Sequence, residues 1–239
     1  MKLHHLICRL FAPNAIHRQL YPPPSIGFRI RRYEHADRPA VLDLHDSNAR
    51  DRFPVGHRPV FEHFLDSPPS SFFVADAPEA GVVACGGVLG GGEQVHTLCY
   101  GLVAPNHQGR GIGSAMVLAR LVFATRIPGT HFSFIFAVPK SIGFYQRFGF
   151  SSQQTWKGED QKDYPIGVLS YSSMAVTHIE GVLRKRGLLI NPSLPVAQDP
   201  SKIAIVTPLG NDQHRIEFKE KERNKASEPM PGAVMPRAN

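Results

Sequence analysis

Apolar and polar residues recur along this chain with the two periods that distinguish strands from helices. Phe28 to Arg32 alternates apolar and polar side chains, which predicts a first strand. Asp37 then opens a helix that has Pro39 in its first turn and continues to about Arg50. A second, short helix is predicted over Pro59 to Leu65. The first part of the ordered chain is therefore expected to be strand, helix, helix.

The rest of the pattern predicts mostly strands, with one long apolar helix among them. Ser114 to Arg126 is apolar on nearly every face, as expected for a helix pressed between a sheet and its neighbours. The apolar run Phe132 to Val138 follows it and should be parallel to the strand before the helix, through a right-handed crossover. The other predicted elements are strands over Ser71 to Ala75, Val82 to Leu89, Glu93 to Val103, Phe150 to Trp156 and Ile166 to Tyr171, and a helix that begins at Pro139 and stops at Gly149. Together they predict an α/β fold around one core.

The pattern weakens at both ends, and this divides the chain of 239 residues into three parts. Residues 1–26 contain Lys and Arg but no acid, and Ser25 is their only serine. Because transit peptides are usually rich in serine, a basic N-terminal extension is favoured over an organelle transit peptide. Residues 27–176 carry the predicted elements and should form one domain. Beyond residue 176 the periodicity decays, so residues 177–239 are expected to be a largely disordered C-terminal extension, to which Ala204 to Val206 could add one strand.

The most distinctive segment joins a predicted strand to the long apolar helix. It contains Gly109, Gly111 and Gly113, with Arg110 between the first two. Glycines let the backbone approach a ligand closely, and the free N–H groups and the dipole of a helix N-terminus attract anions. The guanidinium of Arg110 adds a full positive charge. This turn is therefore expected to bind phosphate groups.

Two other phosphate-binding loops do not fit this turn. A Walker A loop has Lys directly before its Ser or Thr, whereas Gly113 precedes Ser114 here. The dinucleotide fingerprint needs a third glycine where Ser114 stands and an acid about 20 residues later, but residues 94–158 contain no Asp or Glu. Because this acid-free stretch still contains Lys and Arg, its positive potential would suit an adenine nucleotide with several phosphates.

Two motifs resemble one known family. Gln108, Gly111 and Gly113 form a Gln-x-x-Gly-x-Gly pattern similar to the acetyl-coenzyme A signature of the GNAT N-acetyltransferase superfamily. The block Phe144-Tyr145-x-x-x-Gly149-Phe150 resembles that family's later helix and exit strand. The resemblance implies a single GNAT-like domain, with a mixed central sheet of about six to seven strands, flanked by about four helices and splayed between two parallel central strands.

The same resemblance implies acetyl-coenzyme A (acetyl-CoA) as co-substrate. In the family a bulge near the position of Gly101 splays the strand from its parallel neighbour, and the pantetheine arm enters the gap. Val138 stands where many relatives have an Asn that bonds the pantetheine. The loss of this side-chain contact lowers the binding free energy of the cofactor by about 1 kcal/mol. The residues implied to bind the cofactor are Leu102, Val103, Gln108, Gly109, Arg110, Gly111, Ile112, Gly113 and Ser114.

The implied reaction is direct attack of a primary amine on the thioester in a ternary complex, with a small molecule or a peptide as the amine acceptor. Tyr145 stands where the family commonly places the tyrosine that protonates the departing thiolate; packing beside Phe144 and Phe148 is the alternative role. A base is needed because few amine groups are neutral at pH 7. Glu93, acting through a water, and His96 are the candidates, although an exposed Glu and a core His would look the same in the sequence.

Composition and charge bear on the remaining classes of function. The net charge of +7 lies mostly at the ends, since residues 27–176 hold fourteen Lys or Arg and thirteen acids, so no nucleic-acid partner is expected. The sequence contains no run of eighteen apolar residues, so no membrane-spanning helix is predicted. Three cysteines and twelve histidines lack metal-ligand spacing, so no metal is expected. A reducing, cytoplasmic location fits the unpaired cysteines, and a homodimer is possible.

Two further hypotheses stay open at this point. A non-catalytic acyl-CoA-binding or sensor module of the same fold would carry the same cofactor motifs. Nucleic-acid association through the basic ends is the weaker of the two. The resemblance also implies that residues 50–70 wall the acceptor side, where Arg52 and His57 lie.

Overall fold

The computed structural model describes residues 26–68, 71–92, 94–158, 161–170, 173–188, 190, 203–210 and 213–219. The helices are α1 (Arg38–Arg52), α2 (Arg58–Asp66), α3 (Ile112–Thr125), α4 (Pro139–Gln146) and α5 (Ser173–Lys185). The strands are β1 (Arg29–Arg32), β2 (Phe72–Ala77), β3 (Gly81–Gly90), β4 (Val95–Val103), β5 (Phe132–Phe136), β6 (Ser151–Lys157), β7 (Asp163–Ser170), β8 (Ile203–Gly210) and β9 (Gln213–Lys219). Single turns of 3-10 helix, His35–Asp37 and Pro105–His107, precede α1 and α3.

Seven strands form one sheet in the order β1-β2-β3-β4-β5-β7-β6. Neighbouring strands are antiparallel except β4 and β5, which are parallel and are connected through α3. This confirms the expected mixed sheet with two parallel central strands. The described residues contain five helices rather than about four, because α5 follows the last strand of the sheet.

The two parallel strands separate soon after they meet. They pair over three positions, Val95–Thr97 against Phe132–Phe134. Beyond Thr97, β4 continues to Val103, and the described pairing with β5 has ended. The splay expected between the central strands is therefore present.

A bulge in β4 accounts for this separation. Gly87 pairs with Cys99 and Cys85 pairs with Leu102, so two residues of β4, Tyr100 and Gly101, oppose one residue of β3. Tyr100 adopts a positive φ of 45°. The weak point that Gly101 marked in the sequence is thus a real change of register.

The bulge also moves side chains from one face of the sheet to the other. Leu98 lies in the core beneath α3, whereas Leu102 lies in the core beneath α1 and α2. Residues four apart on a regular strand share a face. Strict alternation along β4 would place Tyr100 on the same face as His96 and Leu98. The inserted residue instead turns the Tyr100 ring toward Phe61 of α2, at 4.7 Å between ring centroids.

Both faces of the sheet are covered by helices. On one face lies α3, which buries residues on nearly all its sides, as its uniformly apolar sequence predicted. On the other face α1 and α2 contribute Val41, Phe61 and Leu65 to a second core. The cofactor loop and the candidate acceptor wall therefore approach the sheet from opposite faces.

The first residues of the predicted C-terminal extension are part of the domain core. α5 crosses the boundary expected after residue 176, and it packs on α3. Ile179 and Leu183 belong to the same core as α3, and Leu188 and Ile190 join it after the helix ends. The apolar residues of α5 recur every three or four positions, a helical spacing that a short sequence window does not separate from loop.

A separate strand pair lies farther along the chain. β8 and β9 form a two-stranded antiparallel sheet, where the sequence suggested one strand at most. The predicted extension 1–26 lies, apart from Ile26, outside the described residues, as do most of the remaining positions beyond residue 190. Within the described part of the chain, no helix is both long and apolar enough to cross a membrane.

Leu183 tests whether α5 is integral to the domain. Its side chain is fully buried in the core beneath α3. Leu183→Ala should lower the free energy of unfolding by about 2 to 5 kcal/mol, because it removes apolar contact and leaves a cavity. Urea denaturation measures this change. Val60→Ala, at an exposed apolar position of α2, should cost far less; equal costs would show that α5 does not stabilise the domain.

Candidate active site

The bulge, the turn before α3 and α4 surround one cavity of about 610 Å³. All the predicted cofactor-binding residues line it except Ile112, whose side chain is fully buried in the core. Tyr145 lines it as well. The sequence therefore identified most of one continuous surface from two motifs that are separated by a whole helix and strand.

The turn at one end of the cavity has the geometry of an anion site. Gly109 and Gly111 adopt φ values of 74° and 83°, in the left-handed region that favours glycine. Gly111 is the residue before α3, so the unpaired N–H groups of the helix begin beside it. Arg110 is exposed between the two glycines. Backbone donors and a cation thus meet at the mouth of the cavity.

Gln108 lines the cavity, and its side chain also stabilises this turn through hydrogen bonds. Its Nε2 donates to the Val103 carbonyl at 3.1 Å and to Asn48 Oδ1 at 3.3 Å. Asn48, a buried residue of α1, also donates to the Val103 carbonyl, at 3.2 Å. Sequence reasoning missed Asn48, because nothing in the pattern of α1 distinguishes it from other polar positions.

The end of β4 presents a backbone donor to the gap between the strands. The N–H of Ala104 donates to the Val83 carbonyl of β3 at 2.9 Å. Successive N–H groups of a strand point to opposite edges, so the N–H of Val103 points away from β3. It faces the side on which β4 has left β5.

Tyr145 reaches the bulge from α4. Its ring packs edge-to-face against Phe144 and Phe150, with centroids 5.1 and 5.8 Å away. A Cβ placed on Gly101 would lie 3.3 Å from the Tyr145 hydroxyl. The hydroxyl is therefore close to the backbone where β4 turns aside, and the ring packs against Phe144, as expected, and against Phe150.

Arg120 is the main feature of the cavity that sequence reasoning did not identify. It lies in the middle of α3, only 2 % exposed, and it lines the cavity. Its Nη2 would lie 3.1 Å from a Cβ on Gly101. The signal in the sequence is a single Arg within an otherwise apolar helical stretch.

The two candidate bases have different outcomes. Glu93 lies outside the described residues, so its role stays a prediction. His96 is buried, its Nδ1 lies 2.9 Å from Thr130 Oγ1, and burial lowers its pKa. It is not among the residues that line the described cavity. The structure places His96 as the core histidine of the alternative reading.

Two other histidines lie on the side of β4 that α1 and α2 cover. His45 of α1 is buried, and its Nε2 lies 3.2 Å from His57 Nδ1. Burial lowers the pKa of both rings. Their rings stack with Phe53, and His57 lies 6.0 Å from Tyr100 between centroids. Arg52 lines the cavity from this side. Within the described residues, no group of three or more His, Cys, Asp or Glu could hold a metal ion.

Comparison with known proteins agrees with this arrangement. Residues 68–152, which contain both motifs, match the model of the acetyltransferase (GNAT) domain. The resemblance drawn from the two motifs is therefore confirmed over these residues. No curated protein sequence matches the chain.

Solved structures with a similar fold include Ard1 from Thermoplasma volcanium, at 15% identity and a TM-score of 0.53, covering 62% of this chain and 100% of that one. The loading GNATL domain of CurA from Lyngbya majuscula is similar at 11% identity and a TM-score of 0.51, covering 63% and 98%. Spermidine N-acetyltransferase from Vibrio cholerae, solved with CoA and spermine, matches at 15% identity and a TM-score of 0.47, covering 60% and 95%. At these identities the likeness concerns the fold.

The buried state of His96 predicts a pH dependence. Its pKa is lowered below the ordinary value of 6.5, so its contribution to stability is present above that pH and is lost as the pH falls through the lower pKa of the folded state. His96→Gln, which cannot be protonated, should show a flatter loss of unfolding free energy between pH 6.5 and about pH 5. Urea titrations at several pH values measure it. His131→Gln, at an exposed position, should keep the wild-type slope; equal slopes in all three would contradict the assignment.

Proposed function

We propose that this protein is an acetyl-CoA-dependent N-acetyltransferase that transfers an acetyl group to a primary amine by direct attack in a ternary complex. The observation that supports this most is the cavity itself. It joins a glycine turn with backbone donors to a gap between two parallel strands, and it places the Tyr145 hydroxyl near Gly101 at the bulge.

The turn is suited to the diphosphate of coenzyme A. Backbone N–H groups from Gly109 to Ser114 provide donors, and Arg110 provides charge at the cavity mouth. Ile112 would contribute through its backbone alone, because its side chain is in the core. The exposed cations Lys140 and Arg147 line the same cavity from α4 and the residue after it, where they favour further phosphate.

The gap is suited to the pantetheine arm and the thioester. Leu102 and Val103 line it, and the N–H of Val103 is directed away from β3, where it can donate to a carbonyl oxygen. Tyr145 would give its proton to the sulfur as the carbon–sulfur bond breaks and the nitrogen–carbon bond forms. The proton lost by the amine then leaves through a base or water, and the tyrosine recovers its own from solvent.

The acceptor and its base are the least defined parts of the proposal. A primary amine of a small molecule or a peptide fits the reaction, and it would approach from the side of α1 and α2, where Arg52 lines the cavity. Glu93 stays the predicted base, since His96 lies with Thr130 instead of at the cavity. A cytoplasmic location and a homodimer also stay predictions.

The alternative is a module that holds an acyl-CoA without turning it over. It would use the same cavity and the same turn. The two functions are distinguished by release of free thiol in the presence of amines, because only the enzyme consumes the thioester.

Both functions require that the cavity binds coenzyme A, and this binding can be measured directly. Calorimetry on the full chain should detect binding of coenzyme A, and Gly111→Glu should abolish it, since a carboxylate and a side chain would enter the anion site at a positive φ. Gly143→Glu places the same charge on an exposed glycine of α4 with open space around it, and it should bind far better than Gly111→Glu. Wild-type protein that gives no binding heat would exclude the proposal.

Tyr145→Phe tests the proton donor. Thiol release with a panel of amines should fall roughly 10- to 100-fold, near the lower end of general acid–base effects because a thiolate leaves readily. Coenzyme A affinity should change little, since the ring packing is kept. The matched control is Tyr33→Phe, which removes a buried hydroxyl that has no hydrogen-bond partner among the described residues and lies outside the cavity. Equal rates in the two variants would remove Tyr145 from the mechanism.

A further inference from the structure

Arg120 is a buried cation, and the described residues satisfy only part of its hydrogen bonding. Its Nε donates to the Met116 carbonyl at 3.0 Å, and its Nη1 donates to the carbonyls of Cys99 and Gly87 at 3.2 and 3.4 Å. The Nη2 group donates to no acceptor within the described part of the chain. Since Arg120 lines the cavity, this group is available to a ligand.

The charge of Arg120 has no carboxylate partner among the residues that the structure describes. Residues 94–158, which include α3, β4 and β5, contain no Asp or Glu. Among the described residues, no acidic side chain forms an ion pair with Arg120. Burying a guanidinium with carbonyl partners alone is costly, and an opposite charge offsets much of that cost.

The sheet is shaped to receive this side chain. A Cβ on Gly86 of β3 would lie 2.7 Å from Arg120 Nη1, and a Cβ on Gly101 of β4 would lie 3.1 Å from Nη2. Glycines on both strands of the bulge therefore leave the space that the guanidinium occupies. A larger residue at either position would displace it.

The free group faces the place where the acyl end of a thioester would lie. The same Cβ position on Gly101 that is 3.1 Å from Nη2 is 3.3 Å from the Tyr145 hydroxyl. The two donors thus flank one point at the inner end of the cavity. Arg120 reaches that point from α3, whereas α1 and α2 cover the opposite face of the sheet. A ligand group meeting Nη2 therefore belongs to the acyl donor rather than to an amine approaching from α1 and α2.

We propose that Arg120 selects an acyl group that carries its own carboxylate, so that the preferred donor is the coenzyme A thioester of a short dicarboxylic acid. The inference rests on the proposed function and refines its acyl donor: an acetyl group can enter, but it leaves Nη2 without an anionic partner. A carboxylate at the far end of the acyl chain accepts from Nη2 and neutralises the buried charge.

Matched thioesters isolate the charge from the chain length. Calorimetry on the full chain compares succinyl-CoA with butyryl-CoA, and malonyl-CoA with propionyl-CoA, with free coenzyme A as the reference. Each dicarboxylic thioester should bind about 10- to 100-fold more tightly than its neutral partner, as expected for a hydrogen bond between charged groups. Equal affinities within each pair in wild-type protein would overturn the proposal without any variant.

Variants assign the preference to one side chain. Arg120→Met should reduce the difference within each pair to about 2-fold or less, and Arg120→Lys, which keeps the charge, should retain part of it. Arg126→Met removes an exposed cation from the end of α3 that pairs with Glu180, and it should keep the full preference. A preference that survives Arg120→Met overturns the assignment. The assignment is also overturned if Arg120→Met or Arg120→Lys slows thiol release by the same factor with every thioester. That result would mean that the guanidinium acts on the leaving sulfur and not on the acyl group.

The same measurements separate this inference from the proposed function. If free coenzyme A does not bind, both the proposed function and this inference are wrong. If free coenzyme A binds and the members of each pair do not differ, the inference alone fails.

Discussion

The bulge in β4 is the constraint on which the site depends. Two residues there oppose one residue of β3, so β4 turns away from β5 and leaves backbone groups that a continuous sheet would pair. Side chains take over some of this pairing: Asn48 and Gln108 donate to the Val103 carbonyl, and Arg120 donates to that of Cys99. The gap is therefore held open by the protein's own hydrogen bonds.

α3 connects the two ends of this gap. Its first residues provide unpaired N–H groups beside Gly111, and its middle carries Arg120 to the bulge. A rigid helix buried on nearly every side fixes the separation of these two positive regions. The absence of acids from residues 94–158 leaves their potential uncompensated within that stretch. In the function proposed above, affinity for the phosphates and discrimination at the acyl end are therefore two properties of one element.

Much of the fold and part of the site followed from local pattern. The uniformly apolar α3 and the glycine turn were predicted where they lie, because helix burial and positive φ leave direct marks on the sequence. The roles of Tyr100 and α5 were not. One inserted residue reverses the face of every later side chain in β4, and the side on which α5 is buried is decided by its contact with α3.

Residues that are close along the chain were enough to specify the α/β class, the parallel pair around α3 and the glycine turn before that helix. Packing of the folded chain was needed to bring distant groups together: Tyr145 with Gly101, Asn48 with Val103, and Arg120 with the carbonyls of two strands. A lone arginine in an apolar helix has the same sequence whether it reaches solvent or the interior. Its burial beside two glycines, and hence its chemistry, arises from packing between elements that no local pattern specifies.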